Sequence, residues 1–208
     1  MVAKSMSEDG SSFFPSMHAL EEKVLMDRFH VLHAIGSGGM AWVYKALDLQ
    51  QGGQIVVLKV LQPQLSQKEP SRRRFLKEGR LQAKLSHKNI VKVFEVHELG
   101  ELVFIVMEWV QGESLRGLLK RFPPPISLDA VIQLATPMFR SVGYAHSLNM
   151  IHRDIKPENF LVDWSQPTPQ IKAADFGLAK IIDAETKNET KTGMMMGTIA
   201  FMSPEQAA

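Results

Sequence analysis

The stretch IHRDIKPENF, residues 151–160, decides how the rest of this chain is interpreted. Its short spacings bring a carboxylate, an ammonium and an amide together on one loop, at Asp154, Lys156 and Asn159. Such a set can orient a hydroxyl, stabilise phosphate charge and ligate a metal ion. A solvated polar loop is the simpler interpretation, but it explains poorly why several apolar residues anchor the same segment.

A second motif, ADFGLAK at residues 174–180, follows an apolar strand pattern. Asp175 ends that pattern, and Phe176–Gly177 then permits a packed ring and a sharp turn. Taken alone, the tripeptide is common in loops. Because it comes so soon after Asn159, its position favours a function shared with the first motif.

A glycine cluster lies far upstream, in IGSGGMAWVYKA at residues 35–46. Gly36, Gly38 and Gly39 would let the backbone approach a phosphate and direct amide hydrogens at it. A plain hairpin turn is the commoner explanation for such a cluster. The dinucleotide-binding fingerprint is excluded, because that motif runs from a strand into a helix, whereas a strand follows here.

Lys59 stands within the apolar run VVLKVL. An ammonium near apolar surface is costly unless it has an anionic partner. Glu78, on a helix expected over residues 71–85, is a candidate for that partner. The alternative is a lysine that points outward from an edge strand.

The hydrophobic pattern predicts an α+β fold in two lobes. Period-two alternation and glycine turns predict five antiparallel strands, and one helix lies among them. This block should end near Val110, and helical patterns dominate afterwards. We therefore expect a flexible lead-in at residues 1–27, a sheet-rich lobe at 28–110 and a partial, mainly helical lobe at 111–208.

Together these motifs resemble the protein kinase family, and more closely its bacterial serine/threonine branch. The order of glycine-rich loop, lysine, helix glutamate, HRD loop, DFG and a final SPE sequence matches that family. Lys156–Pro157 resembles the serine/threonine class rather than the tyrosine class. The resemblance covers about residues 28–208 and implies transfer of the ATP γ-phosphoryl group to serine or threonine hydroxyls of proteins.

The resemblance implies a role for each matching residue. Asp154, Lys156, Lys59 and Glu78 would be catalytic, and Asn159 and Asp175 would hold Mg²⁺. ATP would be bound by residues of the glycine-rich loop, the two lobes and the segment that joins them: Ile35, Gly36, Ser37, Gly38, Gly39, Val43, Val57, Lys59, Met107, Glu108, Val110 and Leu161.

The resemblance also implies regulation. Arg153 would pair with a phosphorylated activation loop, in which Thr190 and Thr192 are the candidate sites. A merely flexible polar loop is the competing interpretation. Autophosphorylation and dimerisation are compatible with this family.

Composition limits the remaining alternatives. The chain has no cysteine, which excludes disulfides, thiolate metal sites and a cysteine nucleophile. A net charge of +2 is too balanced for a nucleic-acid partner. The longest apolar run, 102–107, is too short to span a membrane, and the N-terminus lacks a secretory signal, so we expect a cytoplasmic protein.

The given sequence stops at SPEQAA, residues 203–208, whereas kinases of this kind continue with further helices. The chain is therefore expected to be a truncated kinase. The alternative function is a catalytically inactive fragment that acts as an ATP-binding or interaction module. A small-molecule kinase is disfavoured by the serine/threonine-type loop.

Overall fold

The computed structural model describes residues 16–122, 125–165, 168–176 and 201. The chain divides into two compact units. The first comprises the residues up to Arg80 together with Val93–Trp109, and the second comprises Leu81–Lys92 together with the residues from Val110 onward.

The first unit is built on a six-stranded antiparallel sheet with the order β1-β2-β3-β4-β6-β5. Its strands are β1 (Val24–Leu25), β2 (Phe29–Ser37), β3 (Ala41–Asp48), β4 (Gln54–Leu61), β5 (Val93–Leu99) and β6 (Leu102–Glu108). All five expected strands are present. The two-residue strand β1 adds an edge that the sequence pattern did not predict.

Residues 17–27 pack against this sheet, in contrast to the flexible lead-in expected for them. A 3-10 helix at Met17–Leu20 precedes β1, and Leu20 is fully buried in the core of the unit. The Tyr44 hydroxyl donates a hydrogen bond of 2.7 Å to the Met17 carbonyl. Met17, Ala19, Leu20 and Leu25 all belong to the core cluster of the unit or pack against it, so apolar residues anchor this segment.

The strand register separates two faces of the sheet. Tyr44, Leu58 and Phe104 belong to the buried core cluster on one face. Because side chains alternate along a strand, the neighbouring positions Val43 and Lys59, which are paired across β3 and β4, lie on the other face.

Two helices follow β4. They are the single turn α1 (Pro63–Ser66) and the longer α2 (Glu69–Gln82), of which only the second was expected. Gly79 is the point of closest approach between α2 and the sheet. A Cβ added there would lie 2.8 Å from Ile105 Cδ1 and 3.0 Å from Val96 Cγ2. Glycine is therefore needed for packing, although it lowers helix propensity.

A partly buried ion network ties the start of β2 to the end of β3 and to β5. Arg28 donates to both carboxylate oxygens of Asp48, at 2.8 and 2.7 Å, and to both of Glu95, at 3.1 and 2.8 Å. His97 Nε2 lies 2.9 Å from Glu95. Hydrogen bonds from Arg28 hold the pKa of Asp48 and the pKa of Glu95 below their ordinary values.

This network should make the first unit sensitive to acid. A lowered folded-state pKa stabilises the fold above the unfolded pKa, near 4, and that stability is lost as the pH falls through the folded-state pKa. We expect Asp48→Asn to lower the free energy of unfolding by about 2 kcal/mol at pH 7, with a smaller difference below pH 4. Urea unfolding from pH 7 to pH 3 measures this.

The matched control is Asp27→Asn, because Asp27 is exposed and its carboxylate forms no ion pair with any of the described residues. It should leave unfolding unchanged within 0.5 kcal/mol or so. A destabilisation by Asp48→Asn that stays constant at every pH would contradict the electrostatic origin.

The second unit combines two helices with a three-stranded antiparallel sheet of order β7-β8-β9. Its elements are β7 (Gly112–Ser114), α3 (Leu115–Arg121), α4 (Leu128–Ser147), β8 (Phe160–Asp163) and β9 (Gln170–Ala173). Ser114 and Ser127 cap the two helices by accepting hydrogen bonds from Gly117 N and Ala130 N. Asn149 follows α4 with φ 57°, the left-handed conformation that ends many helices.

The segment 81–92 belongs to the second unit, although the expected boundary placed it in the first lobe. Its end runs beside β9: Val91 N donates to Ala173 O, and Ala173 N donates to Asn89 O, both at 2.8 Å. The buried Asn89 amide also donates to Ile171 O at 2.8 Å.

Among the helices that the structure describes, none has the length and apolar character needed to span a bilayer.

Candidate active site

Three of the polar residues of the HRD loop, residues 151–160, form one cluster in the second unit. Lys156 Nζ lies 2.8 Å from Asp154 Oδ2. The Asn159 amide donates to the same carboxylate oxygen and to the Asp154 carbonyl, each at 2.8 Å. The Asp154 and Lys156 side chains are each 22% exposed, so a substrate hydroxyl can reach the carboxylate. The solvated-loop interpretation does not explain this convergence.

The buried side chain of His152 anchors the HRD loop to the core of the second unit. The ring is buried, with its centroid 4.5 Å from that of Phe176 and 6.1 Å from that of Phe160. Burial lowers the pKa of His152, so the ring is neutral at pH 7, and its Nδ1 accepts a hydrogen bond of 3.3 Å from Asp154 N. No role for His152 was predicted from the sequence, although it is the one imidazole within the motif.

Two residues of the site have left-handed backbones without being glycine. Arg153 has φ 60° and Asp175 has φ 50°. Such conformations cost about 1–3 kcal/mol each and persist where the surrounding structure enforces them, often at functional sites. The residues next to them in the chain, His152 and Phe176, pack against each other with their rings tilted by 39° and the ring centroids 4.5 Å apart.

The two candidate metal ligands come from adjacent segments. Ala174 N donates to Asn159 O at 2.8 Å, so Asp175 directly follows a residue bonded to Asn159. Only 8% of Asn159 is exposed, and its side-chain nitrogen donates a hydrogen bond to the Asp154 carboxylate. The side-chain oxygen of Asn159 and the carboxylate of Asp175 are oxygen ligands of the kind that Mg²⁺ prefers. The residues therefore fit Mg²⁺.

In the first unit, Lys59 and Glu78 form the ion pair expected from the sequence. The Lys59 Nζ lies 4.0 Å from Glu78 Oε1, and the side chains are 17% and 11% exposed. β4 supplies the lysine and α2 supplies the glutamate. The outward-pointing alternative for Lys59 is therefore wrong.

The glycine-rich turn joins β2 to β3. Neither Gly36 nor Gly38 has a positive φ, and an added Cβ would meet nothing closer than 3.9 Å at Gly36 and 3.7 Å at Gly38. The turn at Gly52–Gly53 differs, since its glycines have φ 66° and 80°. The hairpin geometry therefore does not require Gly36 and Gly38, which favours the close approach of a ligand over a plain turn.

The remaining candidate ATP-binding residues lie on both units. Ile35, Ser37 and Gly39 are exposed around the glycine-rich turn. Val57 pairs with Met107 in the register of β4 and β6, and Glu108 ends β6. In the second unit, Val110 is buried and Leu161 is half-buried on β8.

Sequence reasoning missed the bracing role of Asn89. Its side chain and backbone hold β9, the strand that leads to Asp175. The only signal in the sequence is a polar residue directly before the apolar pair Ile90–Val91, whose pattern predicts a strand. Of the regulatory candidates, Arg153 is described, whereas Thr190 and Thr192 lie outside the described residues.

Comparison with known proteins agrees with these motifs. The protein kinase domain matches residues 29–207. The chain is 37% identical over 185 residues to a probable serine/threonine-protein kinase, PknB of Lactococcus lactis, covering 89% of this chain and 28% of that protein. It is 37% identical over 188 residues to the serine/threonine-protein kinase PknA of Mycobacterium tuberculosis, covering 88% of this chain and 42% of the relative. The chain thus spans less than half the length of these relatives.

A solved structure shares the fold. The PknI kinase domain of Mycobacterium tuberculosis matches with a TM-score of 0.64 and 28% identity, over 76% of this chain and 63% of that one. The expected α+β kinase fold is confirmed, and so is the resemblance found in the motifs. The family match over residues 29–207, the two relatives and the shared fold all lead to one conclusion. The chain belongs to the protein kinase family.

Proposed function

We propose that this protein is an ATP-dependent serine/threonine protein kinase that transfers the γ-phosphoryl group to hydroxyls of protein substrates. The observation that carries the proposal is the convergence of Lys156 and Asn159 on one oxygen of Asp154, each at 2.8 Å. Asp154 would orient the substrate hydroxyl and accept its proton. Lys156 would stabilise the charge on the transferring group.

The first unit would bind the nucleotide. Lys59, positioned by Glu78, would neutralise phosphate charge, and the amides of the turn around Gly36 and Gly38 would approach the phosphates. Val43 and Val57 would offer apolar surface to the base. Of these two, Val57 is bulkier than the alanine usual in this family and should narrow the space for adenine.

The second unit would hold Mg²⁺ through Asn159 and Asp175, and the metal would neutralise charge on the ATP phosphates when bound. Val110 and Leu161 would complete the surroundings of the base. Arg153 would bind a phosphate on Thr190 or Thr192. We also propose a cytoplasmic location, in keeping with the absence of cysteine from the sequence.

Two measurements with the 208-residue chain test the function: ATP binding by calorimetry, and transfer of radiolabelled phosphate to casein and to the chain itself with Mg²⁺. Lys59→Met should weaken ATP binding about tenfold and reduce transfer by at least about a hundredfold, since it removes a charge-assisted phosphate contact. Lys77→Met is the matched control, because Lys77 is an exposed lysine on α2.

The two readouts separate the kinase from its alternative. A chain that binds ATP through Lys59 and transfers no phosphate would be the inactive ATP-binding module. A chain in which Lys59→Met binds ATP as well as the unsubstituted protein would contradict the assignment of the nucleotide site.

A further inference from the structure

A lysine on the nucleotide-facing side of the sheet has no role in the chemistry described above. Lys45 lies on β3, where it pairs in register with Val57 of β4, and Val57 pairs with Met107 of β6. Lys45 is two residues from Val43, so both side chains lie on the same face. An ammonium at this place in an otherwise apolar row needs an explanation.

Its partner is an aromatic ring. The Lys45 Nζ lies 4.6 Å from the centroid of the Trp109 ring, within the distance of a cation–π interaction. Both residues are half-buried. Among the described residues, no carboxylate lies within ion-pair distance of Lys45, so the ring of Trp109 is its main electrostatic contact. Tryptophan is the aromatic side chain that gives the strongest contact of this kind.

Trp109 is the first residue after the end of β6. Glu108 is the last residue of β6, and the chain leaves the ladder at Trp109. Beyond β6 the hydrogen bonds of the sheet no longer hold the backbone, so a side-chain contact can set its orientation. The contact with Lys45 fastens this exit to β3, two strands away, since β4 lies between β3 and β6.

We propose that Lys45 and Trp109 are a positioning pair that sets the backbone at Glu108–Trp109 for recognition of the adenine base. The inference rests on the proposed function, which assigns Glu108 to the nucleotide site. It adds two residues that would act on the base through the backbone and would not contact the phosphates. Lys45 and Lys59 then have separate tasks on one face of the sheet.

The separation of tasks gives a sharp test. Displacement of a fluorescent ATP analogue measures the affinities of adenosine, ADP and ATP for the 208-residue chain. Lys45→Met should weaken all three by the same factor, about threefold to tenfold, as loss of a half-buried cation–π contact implies. Lys59→Met should weaken ATP far more than adenosine, because its ammonium binds phosphate.

A conservative variant and a double-mutant cycle distinguish this role from a merely structural one. Lys45→Arg keeps a cation over the ring and should restore affinity to within about twofold. The double variant Lys45→Met/Trp109→Leu should be no weaker than the Trp109→Leu variant alone, because the two residues act as one unit. Lys77→Met serves again as the charge-matched control and should change nothing. In steady-state kinetics, Lys45→Met should raise KM for ATP and leave kcat unchanged.

Several outcomes would overturn the pair. Unchanged affinities for Lys45→Met would do so, as would losses confined to ATP and ADP, which would mean that Lys45 contacts phosphate. Additive effects in the double variant would show that the two side chains act separately. If the unsubstituted chain binds none of the three ligands, both the pair and the proposed function fail, whereas a loss seen only with Lys59→Met leaves the function standing.

Discussion

Asp154→Asn should reduce the rate of phosphoryl transfer by about 10²–10⁴-fold while leaving ATP affinity within twofold. The amide has nearly the shape of the carboxylate but cannot accept the proton of the substrate hydroxyl. It also loses the attraction to Lys156, which lies 2.8 Å away. Initial rates with radiolabelled ATP and casein measure kcat, and calorimetry measures ATP affinity.

The fold should survive this substitution. The Asp154 side chain is 22% exposed, and partly exposed ion pairs contribute little to stability. The backbone contact of the Asn159 amide with the Asp154 carbonyl is also retained. Thermal unfolding should therefore shift by no more than a few degrees, and a loss of activity cannot be ascribed to unfolding.

Glu158→Gln is the matched control within the same loop. Its carboxylate lies 3.6 Å from Arg116 and is 40% exposed, away from the cluster around Asp154. We expect transfer within twofold of the unsubstituted protein. Equal losses from both substitutions would show a general charge effect, and full activity of Asp154→Asn would remove Asp154 from the mechanism.

The sequence predicted the HRD cluster well because its geometry is local. Asp154, Lys156 and Asn159 are separated by few residues, so one turn of chain suffices to bring them together. Lys59 and Glu78 were found for a related reason: a charged residue within an apolar strand needs a partner, and Glu78 on the helix that follows is an anion that can serve.

Contacts between distant elements were not predictable in this way. By helix propensity alone, Gly79 should weaken α2, because that propensity is a property of the helix alone. The structure gives the opposite interpretation, since Ile105 and Val96 of the sheet approach within 3 Å of the missing Cβ. The role of Asn89 likewise depends on β9, more than 80 residues away. A pattern within one segment carries no information about the neighbour it will meet.

Gly112→Ala should lower the free energy of unfolding by at least about 3 kcal/mol, the upper end of what overpacking usually costs. Gly112 begins β7 and pairs with Asp163 of β8. An added Cβ would lie 1.7 Å from the Val162 carbonyl oxygen and 3.2 Å from Trp164 Cδ1. The oxygen belongs to the backbone, so no side-chain rotation relieves the overlap, and β7 must separate from β8.

Gly143→Ala provides the control of opposite sign. Gly143 is exposed within α4, and nothing lies within 4 Å of an added Cβ. The same substitution should there stabilise the protein by up to about 1 kcal/mol, because alanine favours the helix. Urea unfolding compares the two directly. Equal effects would show that the change acts through the unfolded chain, and an undiminished stability of Gly112→Ala would mean that β7 does not pack closely on β8.

Loss of stability at Gly112 should extend to the active site. β8 follows Asn159 without an intervening loop, so a shift of this strand moves the amide that holds Asp154. At a temperature where the Gly112→Ala chain is still folded, phosphoryl transfer should fall more than ATP affinity, because most of the residues proposed to bind ATP belong to the first unit. A variant that loses stability and keeps full transfer would show that β8 and the loop before it move independently.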